Sequence, residues 1–271
     1  MPSRWKLLLR PHDTTRTTQV PPTQLHGLAC AILERAGADH TAQTKPFSVA
    51  PLFAAPDNSG RALLQLGWLD DGNPPGLDRL VGREVRLGSQ YFTVDDTHSE
   101  MTSYDALRSL AATPAATFEF RSITYFTRDR IQIPLPDPRL VFQSLIRRWN
   151  AFSTVPLLAT DALLDAVIIT DTEIHTSPID LGKSTRTGFR GTATFQLLRT
   201  TRHDLASTLA TLSSYADVAG VGAQTTHGLG WVATHRPDRP PSKFLNRETA
   251  TTGFRSHRVQ SIRTGQIYRG E

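Results

Sequence analysis

The sequence predicts an α+β protein built from two consecutive β-α-β-β-α-β units. Three observations carry this. Short, strand-like apolar runs recur along the chain and are separated by turn residues such as Asp57-Asn58-Ser59-Gly60. Between them lie segments with apolar residues at helical spacing, chiefly 24–36, 139–152 and 203–215. The order of strands and helices then starts again between residues 112 and 116. This is the ferredoxin-like order, used twice. It divides the chain into 1–114, 115–236 and a tail, 237–271.

In the first unit, Trp5 to Arg10 is a short apolar strand closed by Pro11. Segment 13–23 is threonine-rich and loop-like. Thr23 is placed to cap a helix from Gln24 to about Ala36, with Leu25, Leu28, Ala29, Ile32 and Leu33 on one face and Gly37 ending it. Phe47 to Phe53 and Arg61 to Leu69 read as strands, Gly76 to Val81 as a short helix, Glu84 to Leu87 and Gln90 to Asp95 as strands. In the second unit Ala116 to Phe126 alternates as a strand does. Arg139 to Phe152 is a helix with Leu140, Val141, Leu145, Ile146 and Trp149 as its apolar stripe. Leu164 to His175 and Gly188 to Leu198 are strands, His203 to Tyr215 a helix, and Trp231 to Thr234 the last strand. Phe189 and Phe195 stand on the second of these strands.

A chain of 271 residues suffices for two cores of this size. The single cysteine, Cys30, excludes an internal disulfide and fits a reducing compartment. No run of eighteen apolar residues occurs, so the expectation is a cytoplasmic protein with no membrane partner. Charge is uneven. Residues 236–271 hold eight Lys/Arg against three acids, a balance of +5, which equals that of the whole chain. Such a proline-bearing, apolar-poor arm reads as disordered or loosely docked and suited to attract polyanions, with a solvated tail that has no partner as the competing reading.

One stretch stands apart. Gly220, Gly222, Gly228 and Gly230 fall within eleven residues, just before the last strand. Glycine admits positive φ and close backbone approach, and successive free N–H groups in such a loop make an anion nest. A tight chain reversal is the competing reading. A Walker loop is excluded, because no lysine follows these glycines, and Gly182-Lys183-Ser184 has Ser177 where the first glycine belongs. A dinucleotide fingerprint is excluded because the loop leads into a strand, not a helix.

Several pieces together resemble the CRISPR repeat-processing endoribonucleases of the repeat-associated mysterious protein superfamily. They are His40 followed by Lys45-Pro46-Phe47-Ser48-Val49-Ala50-Pro51-Leu52, and Ile133 to Pro138 leading into a helix that ends Trp149-Asn150-Ala151-Phe152. Then come Gly188-Phe189-Arg190-Gly191-Thr192-Ala193 on a strand and the glycine loop itself. The resemblance spans about residues 20–235. It implies tandem ferredoxin-like domains, CRISPR repeat RNA as partner, no cofactor, and metal-independent cleavage within each repeat. It also matches His40 to the family's catalytic histidine and Lys45 to a charge-stabilising partner. The loop departs from the commoner family pattern, with Gln224 where a basic residue often sits and a titratable His227 added. The alternative function is a non-catalytic RNA-binding subunit of a CRISPR effector complex; under either reading other effector subunits are candidate partners and the chain is expected as a monomer or homodimer.

Metal-independent RNA cleavage turns the 2′-hydroxyl on its own phosphate, leaving a 2′,3′-cyclic phosphate and a 5′-hydroxyl. It needs a base, an acid and a cation. Histidine suits the proton work because its ordinary pKa is about 6.5. The candidates are His40 first, with Lys45 for charge, and His26 second, whose competing reading is a satisfied, half-buried side chain. His227 is the candidate contact to the scissile phosphate. Arg128, Arg130, Lys183, Arg186 and Arg190 suit phosphate positioning, alongside Gly220, Gly222, Gly228 and Gly230 of the loop. No histidine pair has i, i+4 spacing and no cysteine pair exists, so no metal site is expected.

Overall fold

The computed structural model describes residues 1–13, 20–34, 44–57, 59–72, 74–182, 184–198 and 202–235. The expected basic tail lies outside them, as do His40 and Lys183. No helix among the described residues is long and apolar enough to cross a membrane.

The first sheet is formed by β1 (Ser3–Pro11), β2 (Phe47–Val49), β3 (Phe53–Ala54), β4 (Ala62–Trp68), β5 (Glu84–Leu87) and β6 (Gln90–Met101). Its order is β2-β4-β1-β6-β5, with β3 paired to β4, and every pairing is antiparallel. That is the ferredoxin-like order with one extra edge strand. Alternation sets the buried face of β1: Trp5, Leu7 and Leu9 point inward. Against it lies α1 (Pro22–Leu33), whose buried residues are Leu25, Leu28, Ala29, Ile32 and Leu33, the stripe expected from spacing. Burying each such leucine or isoleucine stabilises by about 1.5–3 kcal/mol relative to exposure. Thr23 is not the cap. It sits inside the first turn, and the helix starts on Pro21 and Pro22 with no side-chain cap. Proline is suited there because its missing N–H has no helical partner. The second helix of this unit is only a 3₁₀ turn, Leu77–Leu80.

A short helix not foreseen from the sequence, α2 (Tyr104–Arg108), leads to the second sheet. This sheet contains β7 (Ala115–Thr124), β10 (Val167–Asp180), β11 (Thr185–Leu197) and β12 (Val232–His235), in the order β10-β11-β7-β12. A side hairpin of β8 (Phe126–Arg128) and β9 (Ile131–Ile133) follows β7. Then come α3 (Pro138–Phe152), α4 (Thr160–Ala166) and, after β11, α5 (His203–Ala219). The order is again ferredoxin-like. Asp137 caps α3 by accepting from the Leu140 N–H at 2.9 Å. Residues Leu164 to Ala166, expected in a strand, belong to α4. An apolar run that short does not separate helix from strand by periodicity.

The second core is aromatic. Phe118, Phe142 and Phe195 meet edge to face at centroid distances of 5.2–5.9 Å. Phe189 and Phe195 are fully buried, so neither offers a stacking surface. The end of α5 lies on the first sheet. Ser48 Oγ donates to the Val218 carbonyl at 2.5 Å, and Arg4 donates to the Asp217 carbonyl at 2.7 Å. Gly67 permits this, since a Cβ there would stand 1.9 Å from the Val218 oxygen.

Candidate active site

The glycine loop is held tightly. After α5 the backbone takes positive φ at Gly220, Gly222, Gln224, Gly228 and Gly230 around a 3₁₀ turn, Thr225–His227. Its N–H groups are largely used inside the protein. Val221 donates to the Gly230 carbonyl at 2.8 Å, Gly222 to Ser144 Oγ at 3.3 Å, Ala223 to the Tyr125 carbonyl at 2.9 Å and Gly230 to the Ile123 carbonyl at 3.0 Å. The anion-nest expectation for these glycines therefore gives way to close packing. At Gly230 a Cβ would sit 1.9 Å from the Val221 oxygen, and at Gly228 it would sit 2.8 Å from Leu25 Cδ1 of α1.

A test follows. Gly230→Ala combines left-handed strain, about 1–2 kcal/mol, with that carbonyl clash. Gly60→Ala, at φ 73 with nothing within 4 Å, carries the strain alone. Urea unfolding should show the larger loss for Gly230→Ala. Equal losses would refute the packing role.

The loop brings a histidine from each half of the chain together. The rings of His26 and His227 stack with centroids 4.0 Å apart and 6° between planes. His26 Nδ1 lies 3.1 Å from the Thr226 carbonyl, which only accepts, so this nitrogen carries the proton. His26 Nε2 faces Cys30 Sγ at 3.5 Å. Both ring nitrogens of His26 thus have protein partners, which hold the ring in place. His227 Nδ1 is 3.0 Å from Thr226 Oγ1. Burial, and then the neighbouring His26, push the His227 pKa down to about 4, so the ring is neutral at physiological pH.

Lys45 does not face the surface. Its Nζ is 2.6 Å from Glu34 Oε1, with side chains only 8% and 6% exposed. The ammonium that the resemblance matched to phosphate chemistry is committed to a buried carboxylate. The pair joins the chain on either side of residues 35–43. Burial, and then Glu34, raise the Cys30 thiol to about 11, so it is a poor nucleophile.

Beside this cluster opens a cleft of about 790 Å³, lined by His227, Leu229, Arg121, Arg190, Pro51 and Ile179 among others. His26 is not among its lining residues. A second hollow of about 330 Å³ is lined by Arg130, Arg186, Tyr125, Gln132 and Gln224, and Thr23 borders both. The two flank the glycine loop and carry four guanidinium groups between them. Three of these, Arg130, Arg186 and Arg190, were expected from the sequence. Arg121 was not, because it sits on an alternating strand two residues from its ion-pair partner Glu119, at 3.0 Å. Arg128 is exposed on β8 and lines neither hollow. Among the described residues, no three His, Cys, Asp or Glu side chains cluster as a metal site.

Comparison with known proteins adds to this geometry. Residues 118–232 match the model of the CRISPR-associated endoribonuclease Cas6 family. A solved Cas6 product complex aligns with a TM-score of 0.73 at 27% identity, over 86% of this chain and 99% of the other. The second half of the chain thus matches the Cas6 family model, and most of the chain shares the fold of solved Cas6 proteins. A second Cas6 product complex, of the protein from Thermus thermophilus, aligns with a TM-score of 0.74 at 27% identity, over 87% and 100% of the two chains. A Cas6-related protein from Pyrococcus furiosus aligns at 12% identity with a TM-score of 0.56, over 88% and 100%, a likeness of fold alone. No curated protein matches the sequence. Against this Cas6 fold, the stacked histidines and the arginine-lined cleft occupy the seam between the two ferredoxin-like halves.

Proposed function

We propose that this chain is an endoribonuclease that cuts CRISPR precursor RNA within its repeats. The observation that carries the reading is the cleft itself, where Arg121, Arg190 and the His227 ring line one hollow beside the glycine loop. Guanidinium groups bind phosphate oxygens bidentately and position a backbone without reading its sequence. The relatives supply the substrate class: the solved Cas6 structures include product and substrate-mimic complexes and a histidine-to-alanine mutant. In the proposed mechanism the RNA 2′-hydroxyl attacks the adjacent phosphate. His40 moves the proton, and arginines of the cleft stabilise the charge that develops on the phosphorane. The 5′-oxygen leaves, giving 2′,3′-cyclic phosphate and 5′-hydroxyl ends without a metal ion.

The test is a single-turnover assay of the full chain with repeat RNA in EDTA, with end-group analysis of the products. Cleavage to a cyclic phosphate is expected. Cleavage only when Mg²⁺ is added would remove the metal-independent mechanism. Tight, salt-sensitive binding with no product under either condition would instead make the chain a non-catalytic RNA-binding subunit.

A further inference from the structure

A buried cation ties the glycine loop to the first sheet. Arg148, on α3, is only 8% exposed. Its guanidinium donates to the Phe47 carbonyl of β2 at 3.0 Å and to the Thr225 hydroxyl of the loop. No carboxylate pairs with it among the described residues, and its Nε has no hydrogen-bond partner. Burial lowers its pKa to about 10, which leaves it charged at neutral pH. A charge held this way is costly. Well-packed apolar residues in place of buried ionic groups are often neutral or stabilising. Fold stability alone therefore gives a weak reason for an arginine here.

The neighbours of its two contacts give a stronger one. Thr225 precedes Thr226, whose carbonyl accepts the His26 proton and whose hydroxyl meets His227. Phe47, at the other end of the strut, has its ring 6.4 Å from that of His26. Arg148 thus grips the backbone or side chain next to each element that carries a stacked histidine. We infer that Arg148 is a positioning residue, which holds the His26–His227 stack, and with it the cleft-lining His227, by fixing the loop against β2. The inference rests on the proposed cleavage for its kinetic consequence and on geometry for the rest. His227 lines that cleft as the candidate contact to the scissile phosphate, and misplacing such a contact by about 1 Å costs on the order of 10²-fold in rate.

The experiment uses the full chain with Arg148→Met, Arg148→Lys and Thr225→Val. Each is followed by thermal unfolding, repeat-RNA affinity, single-turnover cleavage and NMR titration of the histidine rings. Arg148→Met and Thr225→Val should bind RNA about as tightly as the parent but cut it about 10²-fold more slowly. The His227 titration should rise from about 4 toward the ordinary histidine value. Arg148→Lys, which keeps a donor, should recover part of the rate. Cleavage at the parent rate by folded Arg148→Met would overturn the inference. So would a slower rate fully explained by weaker RNA binding, with the His227 titration unmoved. If Arg148→Met does not fold, Thr225→Val decides by the same criteria. Should the parent itself fail to cut repeat RNA, the cleavage reading falls and the His227 titration alone judges the strut.

Discussion

Replacing His40 by alanine is expected to slow repeat-RNA cleavage by about 10²–10⁴-fold, the range one acid–base group supplies, while binding persists. The described histidines of the cluster are poorly suited to this work. His26 spends Nδ1 on the Thr226 carbonyl and turns Nε2 toward Cys30, and it does not line the cleft. His227 does line it, yet with its pKa near 4 it is a weak base at neutral pH. A histidine of ordinary pKa, about 6.5, exchanges protons best near neutrality. The pH profile discriminates. A kinetic limb between about pH 6 and 7 that disappears in His40→Ala supports His40. A limb near pH 4 would point to His227. A parent-like rate for His40→Ala would end the assignment outright.

Much of the fold could be read from local pattern, and the reasons differ by element. Strand β1 and helix α1 were legible because one face of each is buried, and burial imposes a period of two or of 3.6 on the sequence. The end of β6 was not. From Asp95 to Met101 no residue is buried, so the sequence carries no apolar alternation there, and the ladder to β1 keeps the strand extended. The short helices α2 and α4 are too brief to display a period. At the site, the glycine spacing foretold positive φ but not what would fill the space around it. Two of the carbonyls that consume the loop's N–H groups come from Ile123 and Tyr125, about a hundred residues earlier. Arg148 was invisible for a similar reason. In an amphipathic helix an arginine beside Arg147 reads as solvated surface, and only the tertiary fold turns it inward.

The second large effect concerns Lys45, where sequence proximity to His40 suggested catalysis and the fold supplies a different partner. Lys45→Met should cost about 3–5 kcal/mol of stability, as breaking a buried ion pair usually does. The reason is asymmetric. Glu34, 6% exposed, would lose the cation 2.6 Å away while its carboxylate stayed largely out of water. Glu34→Gln should be costly for the converse reason, because it leaves the ammonium buried. The double variant should recover much of the loss, since neither charge then remains without its partner. Urea unfolding of the four proteins measures this coupling directly. Additive losses would show that the pair contributes nothing beyond its separate members. A Lys45→Met protein with the parent's unfolding midpoint but slowed cleavage would return Lys45 to the phosphate. The distances favour the pair. An ammonium at 2.6 Å from a buried carboxylate would have to surrender that interaction to reach RNA, whereas Arg121 and Arg190 already line the cleft.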